Sequence, residues 1–236
     1  MIARFEELDW QETRMGELTL RRRTDSETGE LIYEVKLGDE YLMSSLFTVA
    51  EEELARLGLA ATDGDSLAVL VGGLGLGYTA VTALADARVA RLDVIDALPA
   101  VIGWHERHLL PESATLVDDP RTTLVHDDFF AVMRRPAEPD EAPYDAILLD
   151  VDHSPRHTLD PSHADLYTAA GLGRLADRLT ERGIFALWSD DPPDADFQAV
   201  LASIFDEALA HEVTFDNRLT GGTSSNTVYV ARRRSV

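Results

Sequence analysis

Several short clusters in this sequence carry side chains that can do chemistry. Val69-Leu70-Val71-Gly72-Gly73-Leu74-Gly75-Leu76-Gly77 leads from an apolar run into a helical one. Glycine at 73, 75 and 77 lets the backbone turn tightly and lets a ligand lie where any Cβ would collide. A bare βα turn without a ligand is the alternative. Asp96 ends the next apolar run, 24 residues after Gly72, close to the spacing at which a carboxylate accepts hydrogen bonds from both hydroxyls of a ribose. Capping the helix that follows is a second role, compatible with the first. His126-Asp127-Asp128 ends a third run, where a carboxylate either receives the exocyclic amine of an adenine or caps the helix beginning near Phe129. Together these point to an adenosine-containing ligand.

A fourth run ends in Asp150-Val151-Asp152-His153-Ser154-Pro155. Two carboxylates in one cleft can hold a cationic amine, orient it and take its proton, because each raises the other's pKa toward the working range. Asp150, Asp152, His153 and His157 are also oxygen and imidazole donors in a short span, so a metal site is a rival reading. No ligand spacing defines such a site, and no metal is expected. A solvated acidic loop is the third reading. The fifth run ends in Trp188-Ser189-Asp190-Asp191 and brings two more acids to the same edge.

The elements that must position these clusters follow from periodicity. LTLRRR and LIYEVKL alternate apolar and polar residues around a polar turn ending in Gly29, which predicts an N-terminal β-hairpin region over residues 1–46. A short strand at Glu40 to Met43 follows, and Thr48 precedes AEEELARLGLA, whose acidic first turn suits a helix N-terminus. From Asp65 on, five short apolar runs alternate with helical stretches, the last of them ADFQAVLASIFDEALA, which means a parallel, doubly wound sheet. HEVTFD and NTVYVAR then close the chain as a hairpin. The fold class is therefore α/β: a Rossmann-like, mostly parallel sheet of seven strands, of the class I methyltransferase type, over residues 47–236. In open α/β sheets the ligand sits at the carboxyl edge, where all these clusters lie. Pro136 to Pro143 reads as a surface loop. His105 and His108 read as packing and capping, and His163 as having no identifiable partner.

Composition excludes several classes of function. The chain has 236 residues with 21 basic against 43 acidic side chains, a formal net charge of −22. That charge repels phosphate backbones, so nucleic acid is not an expected partner. Zero cysteines exclude disulfides, thiolate metal sites and thiol nucleophiles. No run approaches the length of a membrane span, and MIARFEELDW has neither the basic nor the apolar region of a signal peptide, so a soluble, cytoplasmic protein is expected.

With these strand ends in hand, the chain resembles the spermidine synthase (polyamine aminopropyltransferase) family over most of its length. The resemblance rests on the linked order of the N-terminal hairpin, AEEELARLGL, VLVGGLGLG, VIDALPAVI, DDPRTTLVHDDFF, YDAILLDVDHSP, LYTAAGLGRLADRL and GIFALWSDD. It implies that Gly73, Gly75, Gly77, Asp96 and Asp127 bind decarboxylated S-adenosylmethionine. It also implies that Asp150 is the first acid of the catalytic loop, and that Tyr167 and Asp190 flank a small-molecule amine such as putrescine. A homodimer joined through the N-terminal region is implied as well. Four departures stand out. The acid that in the family's glycine motif holds the amino group is replaced by glycine and leucine, and the catalytic loop is one residue longer, leaving Asp152 or His153 as its second functional group. Ala50-Glu51-Glu52 replaces a Tyr-His-Glu triplet, and the N-terminal region is short. These changes fall at the transfer chemistry rather than at the nucleoside. The readings are thus an aminopropyltransferase, a methyltransferase using S-adenosylmethionine on the same sheet, or a non-catalytic homologue.

Overall fold

The structure is a computed structural model that describes residues 5–13, 16–137 and 141–235. Two sheets build it. The first is an antiparallel meander, β1 (Phe5–Thr13), β2 (Gly16–Thr24), β3 (Leu31–Leu37) and β4 (Glu40–Ser44), in the order β1-β2-β3-β4. The expected hairpin is its centre, β2 paired with β3, the short strand expected at Glu40 to Met43 is β4, and β1 is an added strand that the pattern had not indicated. Leu18, Leu20, Tyr33 and Val35 are buried on one face of this sheet, as alternation along a strand places residues two apart together. Asp9 of β1 ties this sheet to the rest. It accepts hydrogen bonds from Trp104 Nε1 at 2.6 Å and from Arg107 at 2.7 Å. Burial opposes its ionisation, but Arg107, Trp104 and Gln11 together hold its carboxyl below the ordinary value.

The second sheet has seven strands, in the order β10-β11-β9-β8-β5-β6-β7. Its elements are α1 (Val49–Ala60), β5 (Leu67–Gly72), α2 (Tyr78–Ala85), β6 (Val89–Asp96), α3 (Pro99–Glu106), α4 (Ser113–Val117), β7 (Thr122–His126), α5 (Phe129–Arg134), β8 (Tyr144–Leu149), a 3-10 turn Pro161–Asp165, α6 (Ala169–Ala176), β9 (Leu179–Ser189), α7 (Ala195–Ile204), β10 (Phe205–Asn217) and β11 (Gly222–Arg233). LAVLVG in β5 and AILL in β8 are buried nearly throughout, as strands covered on both faces must be. One core lies between the sheet, α1 to α4 and the N-terminal meander, and the other between the sheet and α5 to α7. The last helix is shorter than its periodicity predicts. It ends at Ile204, and Phe205 to Ala210 pairs instead with Tyr229 to Arg233 of β11, where Phe205 is buried against Phe185. The loop expected over Pro136 to Pro143 lies in part, at residues 138–140, outside the described residues.

The chain steps from β5 outward to β6 and β7, then returns to place β8 on the other side of β5. The strand order therefore reverses between β5 and β8, and at such a reversal the two departing loops diverge and leave a crevice. The glycine motif leaves β5 there, and Asp150 follows β8.

Candidate nucleoside and amine site

The two loops at this crevice touch through their backbones. Asp150 N–H donates to the Gly72 carbonyl at 2.8 Å, and Gly73 N–H donates to Ile95 O at 2.9 Å. Gly73, Gly75 and Gly77 have φ of +93°, +48° and +96°, a left-handed region that L side chains seldom occupy. A Cβ on Gly73 would stand 2.0 Å from the Asp150 carbonyl oxygen. The glycine at 73 is thus required by the close approach of β8's loop as well as by any ligand. Met43 of β4 lies over Gly75, and the buried His105 fixes the turn from below, its Nε2 3.0 Å from the Gly75 carbonyl. Burial lowers the His105 pKa, so the ring is neutral at physiological pH.

Asp96 serves the same turn. One of its carboxylate oxygens accepts from Leu74 N–H at 3.0 Å and the other from Leu98 N–H at 2.8 Å. It therefore ties the approach to α3 to the glycine loop, although the N-cap of α3 itself is Leu98, which has no side-chain capping bond. With three backbone amides acting on it, the carboxylate keeps a further lone-pair site for a hydroxyl. Burial raises its pKa, against the amides of Leu98, Leu74 and Gly75. At the end of β7 the two acids divide the work. Asp128 is the N-cap of α5, accepting from Phe130 N–H and Ala131 N–H, while Asp127 stays half-open and pairs with Arg135 at 2.7 Å, which holds its carboxyl below the ordinary value.

Asp150 stands half-buried where the loops meet, and its carboxylate accepts a hydrogen bond from Thr79 Oγ1 of α2 at 2.7 Å. The surrounding atoms desolvate it and push its pKa up to about 6, against the lowering effect of Thr79. The reason for its position is the tight seat of α1. A Cβ on Gly58 would meet Leu148 of β8 at 2.6 Å and Ala186 of β9 at 3.2 Å, so the helix lies close on these strands and its N-terminal turn overhangs their ends. That turn carries Glu51, whose backbone carbonyl also receives the Thr79 hydroxyl, at 3.3 Å. Burial first, and the charge of Asp150 second, push the Glu51 carboxyl up to about 8. Sequence reasoning did not select Glu51. The signals were its place in a helix ahead of the glycine motif, where an acidic first turn has an ordinary explanation, and the departure at Ala50-Glu51-Glu52.

The rest of the loop after β8 is organised differently. Asp152 is buried and turned into the protein, accepting from Leu159 N–H, His163 Nδ1 and Tyr167 Oη, each at 2.8 Å. Tyr167 is thereby joined to Asp152 rather than to Asp150, and burial together with the Asp152 charge raises its pKa well above the ordinary value. His163, which reads from sequence as partnerless, has Asp152 on its ring nitrogen and stacks on Phe130 at 3.6 Å. His153 points to the rim and pairs with Glu40 of β4 at 3.2 Å. Asp190, exposed at the end of β9, accepts from Asn226 at 2.7 Å, and its N–H donates to the His153 carbonyl at 2.7 Å. The crevice thus gathers Gly73, Gly75, Gly77, Asp96 and Asp150. Asp152 and Tyr167 brace the loop from behind, and His153 and Asp190 lie on the rim.

The fold and part of the sequence are shared with known proteins. No protein-family model matches the chain. Polyamine aminopropyltransferase 2 of Pseudomonas aeruginosa is 27% identical over 179 residues, which cover 72% of this chain and 48% of that protein. The chain spans about half the length of the curated relative it matches. Among solved structures, the spermidine synthase of Thermotoga maritima superposes with a TM-score of 0.73 at 17% identity, over 96% of this chain and 72% of that one. Human methyltransferase-like protein 13, in complex with SAH, superposes with a TM-score of 0.60 at 16% identity, over 78% of this chain and 82% of that one. The fold is the class I methyltransferase-like fold of the spermidine synthases, and the chain is similar in sequence to a polyamine aminopropyltransferase, as the order of its motifs indicates.

Proposed function

We propose that this protein transfers an aminopropyl group from decarboxylated S-adenosylmethionine to a small amine such as putrescine. The observation that carries the reading is Asp150: a half-buried carboxylate raised to about 6, at the strand-order reversal, against the glycine turn. In this reading the nucleoside lies along Gly73 to Gly77. The ribose hydroxyls donate to Asp96, and the adenine amine donates to Asp127, for which Arg135 must yield one lone pair. The acceptor amine docks at Asp150 with its distal cation toward Asp190 and His153 on the rim.

Little chemistry is asked of the protein. The unprotonated amine attacks the propyl carbon bound to the sulfonium, the C–N bond forms as the C–S bond breaks, and that bond's electron pair returns to sulfur, releasing neutral methylthioadenosine. The new secondary ammonium then passes a proton to the Asp150 carboxylate and is left as the neutral secondary amine. Positioning and proton removal are the two contributions, and each is a recognised source of rate. Asp152 acts as a positioning residue, because its three hydrogen bonds fix the loop that presents Asp150.

Methyl transfer from S-adenosylmethionine is the second reading, favoured by the superposition on methyltransferase-like protein 13. Calorimetric titration separates the two. The expected result is micromolar binding of decarboxylated S-adenosylmethionine and of methylthioadenosine, with S-adenosylmethionine at least ten times weaker because its carboxylate meets an acidic crevice. Tighter binding of S-adenosylmethionine would replace the first reading with the second.

A further inference from the structure

We infer that Trp188 is a specificity-determining residue of the acceptor subsite: its indole, set between Asp150 and Asp190, carries the methylene chain of an unbranched diamine whose two nitrogens reach those two acids. The inference rests on the functional reading above and adds a residue that none of its motifs assigns. The register of the strands places the ring. Leu148 of β8 pairs with Ala186 of β9, and both lie in the core on the α1 side of the sheet. Two residues further on, the same face carries Asp150 and Trp188. Asp150 is on that side because its carboxylate meets Thr79 of α2. Trp188 is on that side because it packs against the same core, paired with Val228 of β11. Neighbouring strands lie about 4.8 Å apart, so the indole flanks the carboxylate. Asp190 completes the row. It accepts a hydrogen bond from Asn226, which shares the face of Val228 two residues away. Its N–H donates to the His153 carbonyl, which holds the loop after β8 against the end of β9. By strand spacing, Asp150 and Asp190 stand roughly 8 Å apart at Cα, with Trp188 between them.

The surroundings of the ring say what it is for. Trp188 is half-buried, whereas Ala186 before it on the same face and Val228 beside it are closed to solvent. Its open part therefore lies at the carboxyl edge, where the crevice is. The indole nitrogen is buried and has no acceptor among the described residues. A buried donor left unpaired costs free energy that an aliphatic residue at this position would not incur. Core packing thus gives no reason for tryptophan here, and a ring that faces a ligand does. Indole attracts a cation more strongly than the other aromatic side chains, and its flat face suits methylene groups. Asp150 takes the attacking nitrogen, Asp190 the distal ammonium, and Trp188 the carbon chain with part of the distal charge. A monoamine leaves the Asp190 end of this row unused, and an amino acid brings a carboxylate against Asp190.

The test uses the intact protein with methylthioadenosine present, putrescine as the probe and butylamine as its monoamine control. Tryptophan fluorescence reads binding. Trp10 and Trp104 also emit, so Trp188→Phe isolates the contribution of Trp188. The wild-type emission is expected to change saturably with putrescine and far less with butylamine, and Trp188→Phe to lose the change. In steady-state transfer, Trp188→Leu is expected to raise KM for putrescine about 3- to 30-fold, the worth of a cation–π contact, with a much smaller change in kcat. Trp188→Phe, which keeps an aromatic face, should recover part of that loss. An unchanged KM in Trp188→Leu with transfer intact overturns the inference and leaves the transfer reading standing. So does a putrescine-dependent change of emission that persists in Trp188→Phe. A saturable Trp188 signal in a wild-type protein that forms no methylthioadenosine from decarboxylated S-adenosylmethionine and putrescine overturns the transfer reading alone, and the diamine subsite stands.

Discussion

Asp150→Asn lowers kcat/KM for transfer by about a thousandfold, near the middle of the range for loss of a general base, and a thousandfold is about 4 kcal/mol of transition-state stabilisation. The amide retains a hydrogen-bonding partner for Thr79 but cannot take the amine's proton. The pH profile carries the signature. A base with a pKa of about 6 gives a wild-type kcat/KM that falls tenfold per pH unit below that point, whereas the residual activity of the variant lacks this limb. The same pKa shifts act on stability with a definite sign. Because the folded protein raises the pKa of Glu51 and Asp150, the stabilisation from their protonation is complete below the ordinary carboxylate range and disappears as the pH rises through about 6 and then about 8. The variant should therefore melt higher than the wild type at pH 9 and close to it at pH 4. Full activity in Asp150→Asn, measured by release of methylthioadenosine, would remove Asp150 from the reaction.

Gly73→Ala carries the largest expected effect on the fold. Its Cβ would lie 2.0 Å from the Asp150 carbonyl oxygen and 2.9 Å from the carbonyl carbon, at a φ of +93°, so both overlap and backbone strain act together, at a cost of about 3 kcal/mol or more. The neighbouring atoms are backbone on a core strand's exit and have no rotamer by which to move aside. Loss of cooperative folding, or a folded protein with displaced loops and no nucleoside binding, is the expected outcome. Gly103→Ala makes the matched control. Nothing lies within 4 Å of its Cβ position in α3, and the change should stabilise the protein by up to about 1 kcal/mol. Urea unfolding of the two variants, read by circular dichroism, checks both. Equal stability of Gly73→Ala and wild type would mean that the loops of β5 and β8 do not meet as described.

The fold was legible in the sequence where local pattern and burial agree. VLVGGLGLG announces a buried strand, a tight glycine turn and a helix in nine residues, and YDAILLD announces another buried strand, so a parallel sheet with its polar clusters at the carboxyl edge followed from the succession of βα units. Legibility failed where long-range packing overrides a local preference. IFDEALA has helical spacing, yet Phe205 finds the aromatic ring of Phe185 in the core and the chain turns into β10. At the site, glycines and strand-end acids were legible because position in the sheet dictates them. Glu51 was hidden because its significance comes from α1 seating on β8 through Gly58, a contact between residues 90 positions apart in sequence. The same holds for Asp152. Two acids two residues apart read as one polar cluster, and only the register of the loop against the 3-10 turn and α6 sends one into the crevice and the other to Tyr167 and His163.

A single-turnover reaction distinguishes aminopropyl transfer at Asp150 from methyl transfer. The purified protein is mixed in excess with decarboxylated S-adenosylmethionine and putrescine at pH 8, and the products are separated by chromatography and weighed by mass spectrometry. Methylthioadenosine and the aminopropylated amine are expected in equal amounts, with both formed about a thousandfold more slowly by Asp150→Asn. Formation of S-adenosylhomocysteine from S-adenosylmethionine instead, with no methylthioadenosine from the decarboxylated form, would contradict aminopropyl transfer.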